Sequence, residues 1–391
     1  MNDDLNVAIV GCGIIGLHHA KAIAQHPALR IAALVDVVPG AAAALADRIV
    51  AELDVPAPAA FEQLAHALDQ VPVDVVVICT PSGLHVRLAE EALAADRHVV
   101  IEKPLDVSLP RARRILELSR DAERRGLVIS VISQHRFDPA SVVVARASHD
   151  GAFGRITSAV ASVAWWRSQE YYDSNPWRGT WALDGGGAVM NQGVHTVDLL
   201  VWFLGRPVEV VAQTARLAHE RIEVEDVAVA TVRFESGALA VLHATTAAYP
   251  GLGVRINVHG DRGSATIADD QLEYFGTAGP DSAGDGDDAS GASVGNRAAE
   301  LVPPADFSHH DKDADHFVLG HLRQYHDIVD AILERRPPAV TVADAFLSLA
   351  VVRAVYLSAT LGRPVAIDDV LSGALDDVTL ETGVVPDPAR A

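Results

Sequence analysis

The turn Gly11-Cys12-Gly13-Ile14-Ile15-Gly16 constrains this chain more than any other segment. A short, mostly apolar run, residues 5–10, precedes it, and residues 14–25 follow with a helical pattern. An apolar run bounded by glycine predicts a buried parallel strand. Each glycine has a physical reason to be there. Gly11 allows a tight turn, Gly13 lets backbone approach a pyrophosphate, and Gly16 lets the helix pack closely on the strand. The helix start at Ile14 and Ile15 offers phosphates free N–H groups and a favourable dipole. A second apolar run, residues 31–35, ends in Asp36, twenty residues after Gly16. A carboxylate at that spacing accepts from a ribose diol and repels a 2′-phosphate, so NAD is expected and NADP is less favoured.

The alternation of strand and helix continues. Residues 73–79 are strongly β-branched and lead into Thr80-Pro81-Ser82-Gly83-Leu84-His85. A helix is predicted near 84–95 and a strand over 98–101, which ends in Glu102-Lys103-Pro104. Ligands of an open parallel sheet bind beyond the carboxyl ends of its strands. The residues expected to line the cofactor are therefore Gly11, Gly13, Ile14, Ile15, Gly16, Asp36, Thr80, Pro81, Ser82, His85, Glu102 and Lys103. Gln134 joins them at the end of a further strand, 127–133. His135 and Arg136 come next; they either reach the same cleft or form an ion pair at a domain boundary.

A chain of 391 residues should hold two domains. The expected division is 1–133 for NAD and 134–391 for substrate binding and oligomerisation, with a helix at 341–361 packing back on the first. Apolar residues make up 49% of the chain, enough for two cores. With 52 acidic against 31 basic residues the net charge is −21, which disfavours nucleic acid and anionic membranes as partners. No uninterrupted apolar stretch is read as long enough to span a bilayer. The start, Met1-Asn2-Asp3-Asp4, is acidic and not signal-like. The two cysteines, Cys12 and Cys79, are expected as free thiols, and the protein as cytoplasmic.

After about residue 130 the pattern changes. Strand-like runs follow at 156–166, 208–216, 228–234, 238–245 and 254–259, with a hairpin turn at Glu235-Ser236-Gly237. Consecutive strands after a βαβ half predict an α+β domain with a large, open-faced, mainly antiparallel sheet. A second subunit commonly covers such a face, so a homodimer or homotetramer is expected. Residues 276–300 read as an exposed loop, and the tail after about 374 as loosely ordered.

Gly185-Gly186-Gly187 precedes a predicted helix at 188–204. Within it Asn191, His195 and Asp198 are spaced to share one face. Four of the five tryptophans lie between 165 and 181, beside Arg167, Tyr171, Tyr172 and Arg178. Flat rings beside donors suit the faces and edges of a sugar, and equally suit core or interface packing. Candidate substrate contacts are Arg136, Trp165, Arg167, Tyr172, Arg178, Asn191 and His195. His309, His310, His316, His321 and His326 raise the question of a metal. Their spacing of five spreads 316, 321 and 326 over different helical faces, so no metal is expected.

The joint pattern of GxGxxG, Glu-Lys-Pro, Gly-Gly-Gly-x-x-x-Asn-x-Gly-x-His-x-x-Asp and the closing Gly362-Arg363-Pro364-Val365 resembles the glucose–fructose oxidoreductase / inositol dehydrogenase / MocA family, from residue 5 to about 370. The resemblance implies an α/β protein with an N-terminal Rossmann domain and a C-terminal open-faced sheet domain. It implies NAD- or NADP-dependent oxidation or reduction of sugars, inositols and their derivatives. It assigns the chemistry to Lys103 and His195, and makes a cis peptide before Pro104 more expected. Many sugar and inositol dehydrogenases of the family have aspartate where this chain has Asn191.

Oxidising a secondary alcohol needs a base that takes the hydroxyl proton as hydride leaves carbon. His195 is the natural base, and Lys103 would hydrogen-bond the reacting oxygen and share the proton. Asn191 can orient a hydroxyl through its donor and its acceptor. Asp198 either fixes the His195 tautomer or pairs with an arginine. The expected function is an NAD-dependent dehydrogenase acting on a ring hydroxyl of a sugar, cyclitol or glycoside. Glycoside cleavage through transient C3 oxidation is an alternative, and a non-catalytic sensor ranks below it because Lys103 and His195 are both present.

Overall fold

Six parallel strands made of apolar, β-branched runs form the first sheet: Leu5–Val10 (β1), Leu29–Val35 (β2), Ala59–Phe61 (β3), Val75–Ile78 (β4), His98–Ile101 (β5) and Ile129–Val131 (β6). The structure, a computed structural model, describes residues 4–278, 295–302 and 314–384. The strand order is β3-β2-β1-β4-β5-β6, so the order reverses between β1 and β4. That reversal opens the crevice where doubly wound sheets take their ligands. Gly11, Asp36, Thr80 and Glu102 all follow directly or within two residues the carboxyl ends of β1, β2, β4 and β5.

One face of this sheet carries Val7, Ile9, Val75, Val77 and Val100 into a core with the helix Ile14–Gln25. The helix Ala314–Glu334 joins that core through Val318, Tyr325, Ile328 and Val329. The chain accordingly divides into two compact units, Met1–Gln134 with Asp311–Phe346, and His135–His310 with Leu347–Ala391. The helix Ala314–Glu334 thus stands with the first unit, inside the stretch 134–391 expected for the second domain. The apolar stripe of the helix 314–334 finds its partner in the first core.

The second unit holds a nine-stranded mixed sheet. Its strands are Ile156–Ala164 (β7), Pro207–Arg216 (β8), Val227–Phe234 (β9), Leu239–Thr245 (β10), Gly253–Gly260 (β11), Gly263–Ala268 (β12), Gln271–Thr277 (β13), Val365–Ala366 (β14) and Gly383–Val384 (β15). The order is β13-β12-β11-β7-β10-β9-β8-β14, with β15 also on β8. Neighbours are antiparallel except β7 with β10 and β8 with β15. Strict alternation leaves Ala228, Ala230, Val232 and Phe234 of β9 buried while Val229, Val160, Val241 and Leu239 stand exposed on the sheet. The segment from Ala188 to Leu204 lies against β7 and β10.

Three regions differ from the expectation. The hairpin β12–β13 occupies a stretch for which the sequence assigned no strand, and β13 extends two residues, Gly276 and Thr277, into the stretch read as loop; residues 279–294 of that stretch lie outside the described residues. The tail is ordered through β15, and 385–391 lie outside the described residues. The helix Val342–Leu361 is, by length and apolar content, long enough to cross a bilayer, but 67% of its apolar window is buried within the protein, as in a core helix.

Candidate active site

The glycine-rich turn is held by short backbone contacts. Gly11 N donates to Val35 O at 2.8 Å, and Cys12 N to Asp36 Oδ2 at 2.8 Å. A Cβ on Gly16 would lie 2.1 Å from Gly11 O, so only glycine lets the helix start this close to the turn. A Cβ on Gly13 would meet nothing within 4 Å. The helix Ile14–Gln25 has no side-chain cap and no acidic residue in its first turn. Thr80 Oγ1 and Gln134 Oε1 are buried atoms without a hydrogen-bond partner. Open space over Gly13, uncapped amides and buried polar atoms in want of partners fit a bound dinucleotide. Asp36 accepts from Cys12 N and, through Oδ1, from Val38 N at 2.9 Å. A carboxylate has about four lone-pair sites, so capacity remains for a ribose diol.

Two residues expected to line the cofactor face inward instead. His85 is fully buried, its ring nitrogens set against Thr80 O at 3.0 Å and Leu105 O at 3.3 Å. It ties together the loops that leave β4 and β5. Glu102 is only 7% exposed and both its oxygens are engaged. Oε1 accepts from His19 Nε2 at 2.9 Å and His321 Nε2 at 3.3 Å, while Oε2 accepts from Lys103 N at 2.9 Å. With the Nε2 proton of His19 given to Glu102, Nδ1 accepts from the Tyr325 hydroxyl at 2.7 Å. Burial pushes the Glu102 carboxyl up, but hydrogen bonds from the two imidazoles outweigh it and hold it well below the usual range. The result is a buried anion that grips the peptide of Lys103. The Lys103–Pro104 bond is cis.

In the second unit the predicted helix is present with a wider first turn: Ala188–Gly193 is π-helical and Val194–Leu204 is α-helical. Asn191 and His195 are half-exposed while Gln192, Gly193, Val194 and Thr196 are buried. The glycine triplet is explained by close approach, since a Cβ on Gly187 would lie 1.7 Å from Glu225 O. Glu225 accepts from Gly187 N and Val189 N, each at 2.9 Å, and from the Tyr356 hydroxyl at 3.0 Å. Burial raises its carboxyl to about 7 despite these donors. Asn191 Nδ2 donates to Asp184 Oδ1 at 2.7 Å, which leaves its Oδ1 as an acceptor.

Asp198 resolves to the arginine alternative. Arg136 Nε and an Nη each donate to it at 2.7 Å, and Ser348 Oγ adds a third bond at 2.8 Å. Arg136, expected to touch substrate, is thereby a buried structural partner. His195 meets His135 instead, ring edge to ring face with centroids 4.9 Å apart. His135 Nδ1 sits 2.8 Å from Asp138 Oδ2 and 3.2 Å from Asp270 Oδ1. Burial opposes charge on His135, but the Asp270 and Asp138 carboxylates outweigh it and raise the group well above its ordinary value.

His135 was read as reaching the cleft or forming an ion pair, and it sits with Asp138 and Asp270; those two acids, Asp184, Glu225 and Tyr356 were not read as site residues. Of these unread residues only Asp184 carried a signal, standing just before the glycine triplet. His19, Glu102 and His321, and likewise His135, Asp138 and Asp270, bring three possible ligand atoms within 4.8 Å. In both groups a histidine is already hydrogen-bonded to carboxylate. His326 lies against His26 with ring centroids 4.4 Å apart, away from the partners of His321. His309, His310 and the side chain of His316 lie outside the described residues.

The aromatic segment splits the same way. Tyr172, a candidate contact, is buried, its hydroxyl 2.8 Å from Thr246 Oγ1 and its ring packed on Ile222 and Val224. Trp165, Arg167, Tyr171, Trp177 and Arg178 remain half-exposed.

Residues 5–132 match the oxidoreductase family with an NAD-binding Rossmann fold, and residues 142–266 match the GFO/IDH/MocA C-terminal domain. The chain is similar to the WlbA dehydrogenase from Bordetella pertussis, solved in complex with NADH and UDP-GlcNAcA, at 31% identity over 94% of this chain and 98% of that one, with a TM-score of 0.78. It is 29% identical to the inositol 2-dehydrogenase of Rhizobium meliloti (strain 1021) over 67% of this chain and 75% of that protein. A levoglucosan dehydrogenase in complex with NADH shares the fold at 21% identity and a TM-score of 0.78, over 93% of this chain and 99% of that one. Two family domains in order, each with its motif in place, make this chain a member of the GFO/IDH/MocA family of NAD-dependent oxidoreductases.

Proposed function

We propose that this protein exchanges hydride between NAD and a ring carbon of a sugar, cyclitol or glycoside, carrying hydroxyl or keto oxygen. Bound NAD supplies the hydride acceptor at its nicotinamide ring. The protein's own residues handle the oxygen and its proton. Lys103 hydrogen-bonds the reacting oxygen, Asn191 Oδ1 accepts from a neighbouring hydroxyl, and His195 takes the proton. The observation that carries this reading is the grip of Glu102 on the Lys103 peptide at the end of β5. A buried anion held by two histidines on one oxygen and fixing the Lys103 N–H with the other is hard to explain if that lysine is an ordinary surface residue.

One named relative is an inositol 2-dehydrogenase and another was solved with UDP-GlcNAcA, which supports that class here. The exposed row Val160, Val229, Leu239 and Val241 supports a homo-oligomer through the open sheet face, which light scattering on a sizing column would measure. Burial first, then Asp36, raises the Cys12 thiol to about 12; unreactive free thiols suit a reducing, cytoplasmic setting. The test is a screen of monosaccharides, inositols, anhydrosugars and glycosides with NAD and NADP, followed by NADH absorbance and by release of aglycone. Lys103-dependent NADH formation is expected. Aglycone release without net NADH would replace the dehydrogenase by the cleavage reaction.

A further inference from the structure

Two arginines of the second unit are held by rings rather than by acids. The Arg167 guanidinium lies over Trp165 at 4.9 Å and over Tyr171 at 5.1 Å from the ring centroids. That of Arg178 lies over the same Tyr171 at 4.1 Å and over Trp177 at 4.7 Å. The Nε atoms of both are buried and have no hydrogen-bond partner. Among the described residues no carboxylate pairs with either. Acids are in surplus in this chain, 52 against 31 bases, and other arginines of the unit are matched, Arg136 with Asp198 and Arg221 with Asp173.

Stacking on aromatic faces stabilises a cation, but it gives the guanidinium N–H groups no acceptor. Two positive groups on one ring also repel each other. A purely structural pair would be served by one acidic partner, and among the described residues neither arginine forms an ion pair with one. An anion of the substrate would answer both defects, because guanidinium forks match carboxylate and phosphoryl oxygens equally.

The pair is also fixed in place. Arg167 N donates to Thr246 O at 2.9 Å, and Arg167 O accepts from His219 Nε2 at 2.8 Å. Next to Arg178, Gly179 N donates to Asp184 Oδ2 at 2.8 Å. The other oxygen of Asp184 holds Asn191, one helical turn before His195. One carboxylate thus bridges the arginine strap and the helix of the candidate site.

We infer that the substrate of this enzyme carries an anionic oxygen group, carboxylate or phosphoryl, received by Arg167 and Arg178 while its ring hydroxyl is handled at Asn191 and His195. The inference rests on the proposed hydride transfer for the hydroxyl, and on the arginine cage alone for the anion. The test therefore reads the anion separately. NADH-loaded protein is titrated with glucuronate and with pyrophosphate, read by calorimetry and by the fluorescence of Trp165 and Trp177. Saturable binding is expected for at least one probe, weakened roughly ten- to hundredfold in Arg167→Gln and in Arg178→Gln, and less in Arg178→Lys. Retained NADH binding and an unchanged circular dichroism spectrum show that each variant is folded. The probe that loses more affinity identifies carboxylate or phosphoryl as the class. Arginine-dependent binding without oxidation of any sugar keeps the anion site and removes the dehydrogenase reading. Lys103-dependent oxidation of neutral sugars, with neither probe bound better by wild type than by the Arg167→Gln/Arg178→Gln protein, overturns the anion inference and leaves the dehydrogenase standing.

Discussion

Two buried glutamates, one in each unit, grip the backbone of segments that carry candidate proton-transfer residues. Glu102 accepts Lys103 N, and Glu225 accepts Gly187 N and Val189 N ahead of His195. Both receive three hydrogen bonds, and burial pushes both carboxyls up. Glu102 nonetheless sits well below the usual range while Glu225 sits at about 7. The difference lies in the donors. His19 and His321 are imidazoles whose hydrogen bonds favour the ionised partner. The donors to Glu225 are two amides and a phenol, which do not offset its lost hydration. A bond count therefore does not predict whether a buried acid is charged; the kind of donor does.

The largest expected effect tests whether the first grip serves chemistry. Lys103→Ala should lower kcat by about 10²- to 10⁴-fold and leave the Kd for NADH within a small factor. Near-normal turnover would reduce Glu102 to a structural anchor. Next in size is Glu102→Gln, which replaces a charged acceptor bonded to two imidazoles and an amide. It should lower stability at neutral pH by roughly 1–3 kcal/mol and lower kcat more than it raises KM. Glu225→Gln should be milder at neutral pH, because a group near 7 is already partly neutral there. Equal losses of stability in the two variants would break the contrast.

The same contrast has opposite pH signatures. The carboxyl of Glu102 is depressed in the fold, so its contribution is present above the ordinary glutamate value and disappears as pH falls through the folded value. That of Glu225 is raised, so its contribution is full below the ordinary value and is lost as pH rises through about 7. Going from about pH 8 to about pH 5.5, denaturant unfolding of wild type should show the second unit gaining roughly 2 kcal/mol from this group. In Glu225→Gln that gain should vanish. A slope that survives the substitution would assign it elsewhere.

The first sheet was legible because β-branched runs such as 75–78 and 98–101 end at glycine or polar strand-end residues, and buried parallel strands read as continuous apolar runs. The hairpin β12–β13 was not, because Gly263-Ser264-Ala265-Thr266 is small and weakly alternating. For the helix Ala314–Glu334, periodicity says that a stripe is buried and not which core buries it. Partnerships were the least legible part of the site. Arg136 finds Asp198 across 62 positions, and His19 and His321 reach Glu102 across 83 and 219. A motif names the residue that does chemistry; the residues that hold it come from topology.

A third carboxylate gives the smallest effect and the finest test of the comparison. Asp36 is half-exposed and accepts two backbone amides, so it has both a structural and a recognition role available. The two roles separate in the kinetics of Asp36→Ala. If the carboxylate repels a 2′-phosphate, KM for NAD rises and KM for NADP falls, moving the ratio of kcat/KM toward NADP by roughly tenfold. If it only ties Cys12 N and Val38 N, the turn loosens for both dinucleotides and the ratio stays put while both KM values rise. Asp36→Asn refines the reading, since the amide keeps an acceptor for one of the two backbone donors and removes the charge. A shift toward NADP in Asn as large as in Ala would assign the discrimination to charge, and an unmoved ratio in both variants, with KM raised for both dinucleotides, would leave Asp36 its role in the turn alone.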